Sequence, residues 1–377
     1  MRSADVTDTG ITGQGSRIPV LDGLRGVAIL LVLVWHFVPD IVQATWPSML
    51  HATNSLLRFA WSGVDLFFVL SGFLIGGILI DNRESPAYFT TFYARRCCRI
   101  FPLYYVMTAC FALLLYASWR PPMLLWLFER PLPVWSYLTF TQNVAAARAG
   151  MFGAQWLGPT WSLAIEEQFY ILLSLVVRFT RRPALWMAFT LLAVMGPLTR
   201  VLLFFVDPQW LTSAYTLMPA RADALMIGVL CALALRRPAG RAFARERRRL
   251  LYGVFAGLAA AIAGLALLHE TVQSTRMVLA GYSVLALFYG VALALAVTAP
   301  DRELIGRVLR SPVLRRTGTL AYGLYLLHLP VYGLIALLPV PMIVTLVFGI
   351  AATFGVAWLS WTYFEKPIVD LGHHFRY

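Results

Sequence analysis

Ten apolar stretches, each long enough to cross a bilayer, limit what this chain can become more than any other feature. A spanning helix needs about 20 predominantly apolar residues. Such runs fall at 20–38, 56–80, 100–118, 159–178, 184–205, 221–236, 250–268, 277–298, 318–337 and 341–362. The run at 221–236 is short at both edges. Only 13% of the 377 residues are charged, about half the share of a soluble domain. The expected fold is an all-α integral membrane protein, a single bundle of about ten transmembrane helices. Residues 1–17 read as a polar N-terminal tail, 18–366 as the transmembrane domain and 367–377 as a C-terminal tail.

The formal net charge of +13 could point to nucleic acid, but its placement points to topology. All basic residues except Lys366 are arginine, and most lie in short loops between apolar runs. Alternate loops carry Arg83, Arg95, Arg96 and Arg99; then Arg178, Arg181 and Arg182; then RRPAGRAFARERRR; then Arg302, Arg307, Arg310, Arg315 and Arg316. The intervening loops (WPSMLHATNSLLR, 119–158, DPQWLTSAYTLMPA, HETVQSTR and LPVP) hold few. Basic loops stay in the cytoplasm, so both termini are expected there and the helix count is expected to be even. The first helix reads as an uncleaved signal anchor. Within 119–158, VWSYLTF could re-enter the membrane or lie at its surface. Cys97, Cys98, Cys110 and Cys231 show no metal-ligand spacing. Cys97 and Cys98 fall in an expected cytoplasmic loop, where disulfides are rare.

Orientation gives each polar residue a depth. In LDGLRGVAILLVLVWHF, Arg25 and His36 are eleven residues apart. They share one stripe of a helix with Ile29 and Val32 between them, roughly 16 Å apart along the axis. Ionisable groups at such depths are costly and usually face a cavity, so the pair reads as two ends of a path. Asp22 is expected to cap this helix. Asp65, Glu166, Glu167, Arg221 and Asp223 fall in the same outer half as His36, with His328 nearby. Glu166 and Glu167 are adjacent and point about 100° apart. Arg95, Arg96 and Arg99 lie just before the third run; with Arg25 they offer forked donors for phosphates at the cytoplasmic mouth. A histidine beside carboxylates suits proton transfer, a carboxylate on one ring nitrogen fixing the tautomer. No residue set reads as a metal site.

The segments LDGLRGVAILLVLVWHF, GVDLFFVLSGFLIG, FYARRCCRIFPLYY, PTWSLAIEEQFY, RADALMIG and AYGLYLLHLP, in this order, resemble the acyltransferase-3 family of integral membrane O-acyltransferases over about 18–366. The resemblance implies a multi-pass protein of the bacterial inner membrane. It also implies transfer of an acyl group, expected to be acetyl, from cytoplasmic acyl-CoA to a hydroxyl of a carbohydrate or glycolipid acceptor. Arg25 and His36 match the family's essential Arg–His pair, and Arg95, Arg96 and Arg99 its functional basic cluster. Many members carry a C-terminal esterase-like domain; its absence here implies a stand-alone member. The expected catalytic set is His36 as general base, Arg25, Asp65, Glu166 and Glu167. Acyl-CoA is expected on Arg25, Arg95, Arg96 and Arg99, and the acceptor on Trp161, Arg221, Asp223, Tyr325 and His328. The developing oxyanion is assigned to Arg221 or a tyrosine.

Plainer readings compete. Arg95, Arg96 and Arg99 could serve topology alone. Glu166 and Glu167 could pair with Arg221 or Arg200, and Asp223 with Arg221, locking helices together. Tyr322, Tyr325 and His328 could merely line a pocket. A proton-coupled transporter or flippase would also hold intramembrane charges; the lack of an internal repeat and of broken-helix pairs weighs against it. A scaffold for other glycan enzymes would leave those charges unexplained.

Overall fold

The computed structural model describes residues 18–45, 57, 59–117, 122–300 and 302–377, without the side chains of 39–45. The expected N-terminal tail, and most of the loop after the first span, lie outside the described residues. Every regular element among the described residues is helical. The main ones are α1 (Pro19–Thr45), α2 (Gly63–Asp81), α3 (Tyr88–Tyr116), α4 (Trp161–Phe179), α5 (Leu185–Val206), α6 (Trp210–Thr216), α7 (Ala222–Arg236), α8 (Arg248–Leu267), α9 (Tyr282–Val297), α10 (Pro312–Ile335), α11 (Met342–Ser360) and α12 (Lys366–Gly372).

Nine of the described helices are long and apolar enough to cross a membrane. A bent pair, α6 with Pro219–Arg236, meets the same test only when taken together, with a bend of 70°. This is the run that looked short in the sequence. The backbone is extended at Leu217. Pro219 then opens the next helical turn, where its missing N–H is not needed. A broken helix is therefore present, and its supposed absence no longer weighs against a carrier.

The third span begins twelve residues earlier than its apolar run, at Tyr88 rather than 100. No Gly or Pro interrupts 88–101, and arginine is a good helix former. Arg95, Arg96 and Arg99 thus stand on a helix rather than in a loop, and helical periodicity decides where each points. Asp22 does not cap α1: it sits inside the first turn, 3.3 Å from the Arg25 guanidinium. VWSYLTF forms a short helix, Val134–Leu138, held to α3 by the Tyr104 hydroxyl, which donates to the Tyr137 carbonyl at 2.8 Å.

Two close crossings set the centre. Where α2 meets α7, a Cβ on Gly72 would overlap the Leu225 carbonyl, and one on Gly228 the Val69 carbonyl. Where α1 meets α10, a Cβ on Gly318 would overlap the Asp22 carbonyl. Lipid supplies no hydrophobic drive between helices, so association relies on such backbone approach. The crossings bring α1, α2, α7 and α10 together, while α8 stands at the periphery with Ala266 as its one buried residue.

Candidate active site

Two cavities lie along α1. The first, about 140 Å³, opens between α1, α2, α3, α4 and α10. Its polar lining includes Arg25, Arg96, Arg99, Ser71, Glu166 and Tyr170. Arg96 and Arg99 are three apart and share a helix face. The Arg99 guanidinium lies 4.9 Å from the Trp361 ring centroid and 5.8 Å from that of Tyr322. Glu166 and Tyr170 are one turn apart on α4; the tyrosine hydroxyl donates to the carboxylate at 3.3 Å and lies 2.8 Å from the Ser71 hydroxyl.

Arg95 departs from the expected cluster. Its Nη2 and Nε donate to the Phe375 carbonyl at 2.7 and 3.0 Å, and its guanidinium lies 5.3 Å from the Tyr377 ring centroid. Being next to Arg96, it points about 100° away. The basic side chains of this chamber are therefore Arg25, Arg96 and Arg99.

The second cavity, about 260 Å³, holds His36. Trp35, Trp61, Trp161, Gln155 and Tyr215 stand around it. His36 Nδ1 lies 2.9 Å from the Val32 carbonyl. A carbonyl only accepts, so Nδ1 carries the hydrogen and Nε2 is the basic nitrogen. No hydrogen bond or ion pair joins His36 to a carboxylate among the described residues. The expected carboxylate partner is replaced by its own helix backbone. The His328 ring packs edge-on at 4.8 Å. His328 Nδ1 donates to the Tyr325 carbonyl at 2.8 Å, and its buried Nε2 has no hydrogen-bond partner among the described residues.

The single cluster expected near His36 divides into three. Glu166 belongs to the Arg25 chamber. Glu167 lines neither chamber, and its Oε1 is buried without a hydrogen-bond partner among the described residues. Asp65, Arg221, Asp223 and Arg200 form a closed layer of charge. Arg221 pairs with Asp65, and its guanidinium lies over Tyr282, 4.1 Å from the ring centroid. Arg200 donates to Asp223 at 2.8 Å, to Ser283 at 2.6 Å and to the Ala220 carbonyl at 2.6 Å. The last bond satisfies a carbonyl freed by the bend between α6 and α7. Asp65 is thus no partner of His36, and Arg221 pairs with neither Asp223 nor a glutamate. Arg221, Asp223 and His328, expected at the acceptor, line neither chamber; Trp161 and Tyr325 do. Shared depth did not mean shared azimuth.

The stretch expected as one path between Arg25 and His36 holds two cavities. Val64 and Tyr325 line both, so the chambers meet at these two side chains.

The wider comparison gives the family of the chain that holds these two chambers. A family model described as an acyltransferase domain matches residues 18–362. The chain belongs to that acyltransferase family. Peptidoglycan O-acetyltransferase OatA of Listeria monocytogenes is 27% identical over 93% of this chain and 56% of its own length. Putative peptidoglycan O-acetyltransferase YrhL of Bacillus subtilis is 30% identical over 94% of this chain and 55% of its own. O-acetyltransferase OatA of Staphylococcus aureus is 31% identical over 43% of this chain and 25% of its own. The chain thus spans about half the length of the first two relatives. No solved structure matches.

The matched span contains every polar residue of both chambers, whereas Phe375 and Tyr377, which hold Arg95, lie beyond it. Several site residues of this acyltransferase-family chain had not been singled out from sequence: Trp35, Trp61, Gln155, Tyr215 and Tyr170. Trp35 precedes His36 directly, and Gln155 sits in the tryptophan- and proline-rich loop. An indole beside a membrane histidine was the available signal.

Proposed function

We propose that this chain is a membrane O-acyltransferase moving an acetyl group from acetyl-CoA to a hydroxyl of a carbohydrate acceptor. The observation that carries the reading is the pair of chambers meeting at one wall, with guanidiniums in one and His36 in the other. The positive-inside pattern supports a reading with the Arg25 chamber, and both termini, toward the cytoplasm of a bacterial inner membrane. Donor phosphates pair with Arg25, Arg96 and Arg99. The acyl end extends to the wall past Ser71 and Glu166. The acceptor enters the His36 chamber, where the apolar faces of Trp35, Trp61 and Trp161 suit the C–H faces of a sugar ring. The names of the OatA and YrhL relatives support a peptidoglycan-type glycan. His36 Nε2 takes the hydroxyl proton as the oxygen attacks the thioester carbon, with the Val32 carbonyl holding the ring tautomer.

The test is CoA release from acetyl-CoA by the purified full chain in detergent, with a soluble peptidoglycan fragment as acceptor and mass spectrometry of the product. Acceptor-dependent release, lost in His36→Ala, supports the reading. No CoA release, together with transmembrane movement of the glycan in proteoliposomes, would favour a carrier, whose broken helix this fold also has.

A further inference from the structure

The wall between the chambers contains one polar side chain. Val64 offers methyl groups; Tyr325 offers a hydroxyl. That hydroxyl donates to the Pro159 carbonyl at 2.7 Å and lies 2.7 Å from the Ser162 hydroxyl. Ser162 lines the Arg25 chamber and Pro159 the His36 chamber, so the tyrosine bonds across the partition. Ser162 also stands 3.2 Å from the same Pro159 carbonyl. When Tyr325 leaves that carbonyl, Ser162 can replace it as donor, so the exchange strands no buried acceptor. The tyrosine is tied to the base as well: its backbone carbonyl accepts from His328, whose ring packs on His36.

Given the proposed function, the thioester arrives from one chamber and the hydroxyl from the other, so the bond-forming carbon must sit at this wall. We propose that Tyr325 closes the passage at rest and, on donor arrival, turns its hydroxyl from Pro159 onto the acyl carbonyl oxygen as the oxyanion donor.

The acceptor oxygen bonds to the carbonyl carbon while His36 Nε2 takes its proton. The carbonyl π pair moves onto oxygen, which accepts the Tyr325 hydrogen bond. The pair then returns, the C–S bond breaks, and the thiolate takes the proton from His36, giving ester and CoA-SH. Tyr325 keeps its proton throughout. Once turned onto the acyl oxygen, a buried donor suits stabilisation of charge that develops only in the transition state.

The experiment compares wild type, Tyr325→Phe, Tyr325→Ala and Ser162→Ala of the full chain, measuring CoA release with and without a peptidoglycan fragment. Tyr325→Phe keeps the ring and loses the donor: kcat should fall about 10²- to 10³-fold, with KM for acetyl-CoA within about twofold. Tyr325→Ala also opens the wall, so the share of CoA release not coupled to transfer should rise above that of Tyr325→Phe. Ser162→Ala removes the hydroxyl that can take the tyrosine's place at Pro159, so kcat should fall several-fold at unchanged KM. Should Tyr325→Phe fail to yield monodisperse protein, Ser162→Ala and the uncoupled share in Tyr325→Ala decide the matter. An active wild type with an inactive His36→Ala, but kcat of Tyr325→Phe within about twofold of wild type or a change confined to KM, overturns this inference and leaves the acyltransferase reading standing. An uncoupled share equal in all variants overturns the gate. A wild type that releases no CoA overturns both.

Discussion

Arg221 and Arg99 both stand on membrane-spanning segments, yet their surroundings differ in kind. Arg221 is fully buried, paired with Asp65 and covered by Tyr282. Together with Arg200 and Asp223 it closes a layer in which charge answers charge, and that layer borders neither chamber. Arg99 is propped between Trp361 and Tyr322 and, with Arg96, faces a cavity. The lesson concerns pairing rather than residue type. An intramembrane charge neutralised by its neighbours holds helices together, whereas one turned on a void is set up to meet a ligand.

The sharpest way to break this comparison is to remove the base. His36→Ala should lower acetyl transfer about 10²- to 10⁴-fold, the usual share of general-base catalysis, while the melting temperature in detergent stays near wild type. A collapse of folding instead would put His36 with the structural layer.

Breaking one side of the paired layer should do the reverse. Asp65→Asn or Arg221→Ala leaves an uncompensated buried charge, worth about 3–5 kcal/mol, read as a large drop in thermal stability and in recovered protein. The double variant Asp65→Leu with Arg221→Met should recover much of that loss, because a buried ion pair replaced by packed apolar groups is often near neutral. Singles that behave like wild type would mean the pair holds nothing together.

A smaller effect separates the arginines of α3. Arg96→Ala and Arg99→Ala should each raise KM for acetyl-CoA about tenfold, the loss of one charged hydrogen bond, with kcat little changed. Arg95→Ala, whose partner is the Phe375 carbonyl, should leave KM within about twofold. Equal effects at all three would return Arg95 to the donor site. The smallest change expected is in Ser311→Ala. The Ser311 hydroxyl accepts from the Leu314 N–H at the start of α10, and removing such a cap costs about 1 kcal/mol without altering KM.

Much of the fold was legible because the bilayer imposes it. The apolar runs marked the spans, and the run that looked too short proved to be the bent one, for a reason written as Pro219. The acyltransferase family was legible in six ordered motifs, from the Arg25–His36 stripe to AYGLYLLHLP. The grouping of site residues was not. Reading depth alone gathered Asp65, Glu166 and Glu167 around His36, but depth follows from sequence position, while azimuth depends on how each helix is rotated against its neighbours.

The sequence by itself determined that this chain must be a helical membrane protein and which family it joins, since hydropathy and motif order are properties of the linear chain. Only the tertiary structure decided that Asp65 answers Arg221, that Arg95 turns away from Arg96, that His36 leans on Val32 rather than on a carboxylate, and that Tyr325 stands between two chambers. Those outcomes depend on helix rotation and close crossing at glycines such as Gly72 and Gly318, which no local pattern of residues specifies.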